Sequence, residues 1–331
     1  MVGEFRRMPR YVIGVDGGAS RTRSLLVDLE GKAVSRALSG PSNPMTVGFD
    51  GSAKAILEAV SPVKESCRNG SVLVACLAVA GVDRPQSRQA LLRALEPMLH
   101  VGRVIVVSDA RAALSGSVLE NRGVVAICGT GSVAYGINEE GVTSRSGGWG
   151  WLLGDEGSGY DIGRKALSAA LRAHDGRGEP TALSARVLNW FHLEEPSELV
   201  ELAYVKGLKV NDVAALTGLV AQIAREGDRV ACGIMDDAGK ELARAAMAVA
   251  RDLGLEGEFD VAYTGGAFDL SPDLMRSFSD NVVAEAPHAR VVSSPFEPVV
   301  GAVFLALREV GVDIDERLLA NIRSSLGRVK D

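Results

Sequence analysis

Cysteine and histidine are scarce in this 331-residue chain, four of each, and neither is clustered. Cys67, Cys76, Cys128 and Cys232 are never closer than nine positions and form no C-x-x-C pair. That spacing argues against a disulfide framework, a zinc knuckle or an iron–sulfur site. Long apolar runs are missing as well: the longest, Ser71 to Val82, is too short to span a bilayer. The basic opening MVGEFRRMPR is followed only by YVIGV before Asp16, too little for the apolar region of a signal peptide. There is no basic stripe either, and 36 Lys and Arg against 42 Asp and Glu leave a net charge of −6. Nucleic acid and membrane surfaces are therefore poor partners, and the chain reads as soluble and cytoplasmic. An anionic ligand would have to be held by local backbone amides and a metal rather than by the field of the whole protein. Neither G-x-x-x-x-G-K-[ST] nor a strand–G-x-G-x-x-G–helix unit occurs, which disfavours a P-loop and a Rossmann site.

What the chain has in excess is glycine, 38 residues where an average protein carries about 7%. Many turns therefore need positive φ or close backbone approach. The length suggests two domains. YVIGVDGG, TRSLLVDLEGK and KAVSRALSG read as a three-strand meander. A helix from Gly51 to Glu65, the strand SVLVACLAVAG, a helix from Ser87 to Met98 and the strand RVIVVSD follow. Such alternation implies a partly parallel α/β sheet. After Asn121 the pattern restarts, because GVVAICGTGSVAYGIN is again strand, glycine turn, strand, so two related halves meet near Leu119. The second half carries helices at Gly159–Ala173, Asn211–Glu226 and Arg229–Leu253, then the strands FDVAYTGGAF and ARVVSS. A late helix, Val299–Glu309, is expected to pack back on the first half.

Three glycine turns follow strands: Asp16-Gly17-Gly18-Ala19-Ser20, Gly129-Thr130-Gly131-Ser132 and Thr264-Gly265-Gly266-Ala267. Each could present N–H groups to phosphate, or simply close a hairpin. Asp16, at the end of the first strand, reads as a Mg²⁺ partner acting through water, or as an Asx-turn acceptor. Asp109 closes RVIVVSD and opens ARAALSGSVLE. It reads as a helix N-cap or as a general base at the carboxyl end of a sheet strand, where open α/β sheets place their ligands. Asp155 and Glu156 stand in GGWGWLLGDEGSG, whose glycines and tryptophans exceed the needs of a turn. That density suggests a rigid pocket in which a carboxylate chelates sugar hydroxyls beside an aromatic wall. Trp149 and Trp151 are also candidates for plain core packing.

Assembled, these residues make the chain resemble the N-acetylglucosamine kinase and BadF/BadG-type ATPase family of the actin/hsp70/sugar-kinase superfold, from about Tyr11 to about Ala306. VDGGAS with Thr22 is similar to the family's first phosphate motif, SDARAA to the strand end with the catalytic aspartate, and CGTGS to the second phosphate motif. GGWGWLLGDEGSGYDIGRKAL resembles its most distinctive stretch, and TGGAF its adenosine motif. The resemblance implies an α/β fold of two duplicated ribonuclease H-like (actin-like ATPase) domains with an interdomain cleft. The domains are set at 1–118 and 119–297, with the C-terminal helical stretch from about 298 to 331 returning to the first. It also implies ATP and Mg²⁺, a sugar substrate and a homodimer.

By the same resemblance Gly17, Gly18, Ser20, Thr22, Gly129, Thr130 and Gly131 meet phosphates, Gly265 and Gly266 the adenosine, and Asp16 the metal. Asn43, Gly148, Trp149 and Asp155 meet the sugar, and Asp109 both contacts it and acts as base. Ala19-Ser20 replaces the usual Gly-Thr of the first motif. Val133 and Ala80-Gly81 replace polar residues found in relatives that prefer N-acetylglucosamine, which points to a broader, hexokinase-like range. Two other classes share the superfold: a nucleotide-gated activator of a partner enzyme, and a filament or chaperone module.

Overall fold

The structure, a computed structural model, describes residues 8–67, 70–119 and 122–329. The opening residues read above as too short for a leader, 1–7, and Asn121, where the pattern was expected to restart, lie outside the described residues. The chain divides into two compact units, Met1–Leu119 with Ser294–Asp331, and Glu120–Ser293.

The first unit contains β1 (Arg10–Gly17), β2 (Thr22–Asp28), β3 (Ala33–Ser39), β4 (Ser71–Val79) and β5 (Arg103–Ser108) in one sheet of order β3-β2-β1-β4-β5. The first three strands form an antiparallel meander, while β1, β4 and β5 run parallel. Side chains alternate across a pleated strand, so neighbours on β1 serve different cores. Ile13 and Val15 pack with Ile56 and Leu91, from the helices Pro44–Glu65 and Pro85–Leu99. Val12 packs with Val299, Val303 and Leu307 on the helix Pro298–Glu309. Gly14 makes that seat: a Cβ there would lie 2.6 Å from the Val299 carbonyl oxygen and 2.7 Å from a Val303 methyl. Gly301, on the same helix, meets the Ala112 carbonyl oxygen of the helix Asp109–Ser117 too closely to admit a side chain.

The second unit repeats this plan with β6 (Gly123–Cys128), β7 (Ser132–Ile137), β8 (Thr143–Gly147), β9 (Phe259–Thr264) and β10 (Ala289–Ser293), ordered β8-β7-β6-β9-β10. Again a meander is followed by strands parallel to its first member. The duplicated α/β fold expected from the sequence is therefore present strand for strand. Its core is built by the helices Gly159–His174, Val210–Arg225, Arg229–Asp252 and Pro272–Glu285 against β6, β7 and β9.

Several elements escaped the sequence reading. β8, TSRSG, is half-buried throughout and shows no alternation of polarity. The helix placed at Gly51 begins at Pro44, because Asn43 caps a first turn that kinks at Gly48, φ 73°. The helices Leu183–Phe191 and Pro272–Glu285 were not assigned, and the C-terminal helical stretch set at about 298 to 331 is two helices, Pro298–Glu309 and Glu316–Leu326. No helix among the described residues is long and apolar enough to cross a membrane.

Candidate active site

In the first unit the parallel strands β1, β4 and β5 end on the same edge of the sheet, and acidic residues gather there. Asp16 is the penultimate residue of β1 and pairs in register with Arg23 of β2. Its Oδ2 lies 3.9 Å from an Arg23 guanidinium nitrogen. No backbone N–H donates to it among the described residues, so the Asx-turn reading fails. Burial pushes its pKa up to about 6; Arg23 opposes that shift and Glu297 adds to it.

Asp109 is the first residue of its helix, and Ser108 holds the N-cap position without a side-chain cap bond. The cap reading of Asp109 is thereby corrected by one residue. Its Oδ1 accepts the Ala110 N–H at 2.9 Å, and among the described residues no side chain donates to either oxygen. Burial raises its pKa to about 7, with the like charges of Asp16 and Asp83 adding to the effect and the Ala110 N–H opposing it. Asp83 was missed by the sequence reading. The available signal was its place just beyond β4, matching the places of Asp16 and Asp109 on the neighbouring strands.

The first glycine turn proves more structural than expected. The Gly18 N–H donates to the Arg21 carbonyl at 3.0 Å, and the Gly18 carbonyl accepts from Ser42 and Asn43. Gly17 is buried, and a Cβ on it would collide with the Ser42 hydroxyl. Thr22 is wholly buried; its hydroxyl lies 2.7 Å from the Gly40 carbonyl and 2.8 Å from Ser42 Oγ. Thr22 is thus corrected from a phosphate contact to an anchor of the loop that carries Asn43. What remains open in this turn is the exposed Ser20 and the N–H groups of Ala19 and Ser20, which make no hydrogen bond among the described residues. Asn43 caps its helix through Oδ1, accepting the Met45 N–H at 2.9 Å, while its Nδ2 has no partner among the described residues. Gly81, φ +79°, lets that side chain pack against it.

In the second unit the turn after β6 is locked to the helix Gly159–His174. The Gly159 and Tyr160 N–H groups donate to the Gly129 and Thr130 carbonyls at 2.9 and 3.1 Å, and the Gly129 N–H donates to the Gly131 carbonyl at 2.9 Å. The amides of Thr130 and Gly131 stay open among the described residues. The third turn lies beside the second: Gly265, φ +112°, abuts the Cys128 carbonyl so closely that only glycine fits, while Gly266 is exposed and starts the short helix Gly266–Leu270.

The glycine-rich stretch has its own geometry. Gly147, Gly148, Gly150 and Gly157 all have φ between +70° and +89°, a region closed to most side chains. Asp155 shares that region at φ +59° and is one of three non-glycine residues to do so among those described. It is 7% exposed, accepts the Gly150 N–H at 3.2 Å and packs its carboxylate onto Gly131. Desolvation raises its pKa. Neither Asp155 nor Glu156 caps the following helix, because the Ser158 hydroxyl takes the Asp161 N–H at 3.1 Å. Trp149 and Trp151 are 67% and 49% exposed, so core packing is corrected for both. Arg145 stacks over Trp149 at 4.9 Å, and Trp151 meets Tyr160 edge-on at 5.4 Å.

The two sheets share one order, with carboxylates at the strand ends of the first unit and open amides in the turns of the second. The chain belongs to the BadF/BadG/BcrA/BcrD ATPase family, whose model matches residues 13–306. It is 34% identical over 305 residues to the N-acetylmuramic acid/N-acetylglucosamine kinase of Clostridium acetobutylicum, covering 91% of this chain and 99% of that one. It is 36% identical over 311 residues to the N-acetyl-D-glucosamine kinase of Dictyostelium discoideum, covering 89% and 97%. Among solved structures, a Chromobacterium violaceum chain described as an N-acetylglucosamine kinase superimposes with a TM-score of 0.71 at 24% identity, over 91% of this chain and 100% of that one.

Proposed function

We propose that this protein transfers the γ-phosphoryl group of ATP to the 6-hydroxyl of a hexose or N-acetylhexosamine. The observation that carries the reading is Asp109: a half-buried strand-end carboxylate with no side-chain donor among the described residues and a pKa pushed by desolvation up to about 7. A base so poised accepts a proton from a substrate hydroxyl near neutral pH. The kinship with two sugar kinases over about nine-tenths of the chain supports the same chemistry.

Phosphoryl transfer requires alignment and charge neutralisation more than covalent help. In the proposed assignment the amides of Ala19 and Ser20 with the Ser20 hydroxyl, and the amides of Thr130 and Gly131, hold phosphate oxygens. The exposed backbone at Gly266, with Gly265 packed behind it, receives the adenosine. Asn43 Nδ2 and Trp149 contact the sugar, Gly148 admits it closely, and Asp155 holds the glycine-rich loop in place. Asp109 orients the hydroxyl and takes its proton as the bond to phosphorus forms.

The donor set suits Mg²⁺. Asp16 offers one hard carboxylate, and no group of three His, Cys, Asp or Glu that could hold a metal occurs among the described residues. Mg²⁺ commonly takes just one or two carboxylates beside substrate phosphates and water. Asp16 would hold it, and the ion supplies charge neutralisation on the phosphoryl oxygens when bound.

The range of sugars follows from two neighbours. Val133 packs 3.0 Å from where a Gly148 Cβ would lie, and Gly81 faces Asn43. By the family resemblance Val133 and Ala80-Gly81 stand where relatives that prefer N-acetylglucosamine carry polar residues, which supports a range beyond N-acetylglucosamine. A cytoplasmic homodimer completes the proposal. ADP release measured over a panel of hexoses and amino sugars, with phosphorus NMR to locate the ester, tests it. Sugar-dependent turnover and a 6-phosphate are expected; ADP release indifferent to sugar would overturn the kinase reading in favour of a nucleotide-gated activator.

A further inference from the structure

Asp16 ends a chain of alternating charges in the first unit. Its carboxylate lies 3.9 Å from Arg23, Arg23 Nε lies 3.8 Å from Glu297 Oε2, and Arg36 approaches that same oxygen at 3.4 Å. The sheet puts three of these groups on one face: Asp16 pairs with Arg23, Arg23 pairs with Leu38, and Arg36 is two residues from Leu38. Gly14, on that face of β1, is where the helix Pro298–Glu309 is seated, so the start of that helix arrives beside Asp16. Glu297 occupies its N-cap position, where Ser, Thr, Asp or Asn is ordinarily preferred, yet its side chain makes no cap bond. The carboxylate is turned to the arginines instead.

Both Arg23 contacts are longer than a charge-assisted hydrogen bond, about 2.7–2.9 Å. Arg23 is therefore shared between two acids and closed on neither. A guanidinium closed on Asp16 would compete with a divalent cation for the same oxygens. We propose that Glu297 is a positioning residue for the cation site: by drawing Arg23 toward itself, it keeps the Asp16 carboxylate open to a divalent cation. The inference rests on the reading that Asp16 takes the cation that accompanies the nucleotide.

The test is a double-mutant cycle read by Mn²⁺ binding rather than turnover. Free Mn²⁺ is measured by electron paramagnetic resonance in the presence of a non-hydrolysable ATP analogue, for the wild type, Glu297→Gln, Arg23→Gln and the pair. Glu297→Gln is expected to raise the Mn²⁺ dissociation constant about threefold to tenfold. In the Arg23→Gln background the same change is expected to shift it by less than about twofold, because the competitor is gone. Glu297→Asp, which keeps the charge and shortens the reach, is expected to weaken Mn²⁺ binding as well. Equal effects in both backgrounds, or an aspartate variant that matches the wild type, would mean that Glu297 acts only through its field, and the proposal falls. If the wild type itself binds no Mn²⁺ with the analogue, the cation reading of Asp16 falls first. Glu297 is half exposed and caps nothing, so its variants are expected to fold, and their melting temperatures check that.

Discussion

The two sheets share one strand order and differ at their ends. β1 runs into Asp16-Gly17-Gly18 and β6 into Cys128-Gly129-Thr130, so a carboxylate in the first unit stands where the second has a thiol. Both groups are desolvated: Asp16 is pushed up to about 6 and Cys128 to about 12, where its Sγ donates to the Gly157 carbonyl at 3.2 Å. β5 leads into Asp109, whereas β10 is followed by Ser294. The first unit thus carries half-buried carboxylates at the ends of β1 and β5, where the second has a thiol and a hydroxyl; the buried acids of the second unit, Asp155 and Asp161, lie outside its strand ends. Repetition supplies the frame, and a few residues at strand ends divide the chemistry.

The sharpest way to break this contrast is Asp109→Asn. Turnover is expected to fall about 10²- to 10⁴-fold while sugar and ATP binding persist; isothermal titration beside a coupled assay decides. The same variant should be more stable than the wild type at pH 8, by about 1–2 kcal/mol in urea unfolding. The sign follows from a folded-state pKa raised to about 7: the stability linked to its proton is present below the unfolded value, near 4, and is lost as pH rises through about 7. The difference between the two proteins should therefore vanish toward pH 4.

Next in size is Gly265→Ala, on the amide-bearing side. A Cβ there meets the Cys128 carbonyl at φ +112°, and a loss of about 2 kcal/mol or more is expected, with weaker nucleotide binding. Wild-type stability in that variant would remove the close approach of the two turns from the account. The pH profile sharpens the comparison more gently. Below about pH 7, kcat/KM should drop about tenfold per unit, as Asp109 takes up the proton it must accept from substrate. A profile flat between pH 5 and 8 would shift the base elsewhere. The smallest effect on stability belongs to Trp149→Ala, within about 0.5 kcal/mol, since the ring is exposed and is stacked by Arg145. Its sugar KM should nonetheless rise.

Much of the frame could be read from residues alone. Alternating apolar strands with glycine turns gave the meander, and the restart about 110 residues on gave the second sheet, because burial on both faces writes continuous apolar runs such as VLVACLAV. β8 and the helix Leu183–Phe191 stayed hidden: the first is short and polar, the second brief and half exposed. At the site, residue types singled out Asp16, Asp109 and the turns. They did not tell a free group from one already engaged. Thr22, Gly18 and Gly129 looked like phosphate contacts by position and turn out to bond their own loops. Trp149 and Trp151 looked equally suited to a core. Asp83, Arg23 and Glu297 were passed over because each becomes meaningful only beside Asp16 or Asp109.

By itself the sequence determined the class of fold, the duplication and the chemical types at the strand ends, since periodicity and glycine placement are local properties of the chain. Which carboxylate is left without a donor, which amides stay open and which acid holds Arg23 were decided only in the tertiary structure. Desolvation and charge pairing depend on what residues hundreds of positions apart, such as Asp16 and Glu297, bring to the same place.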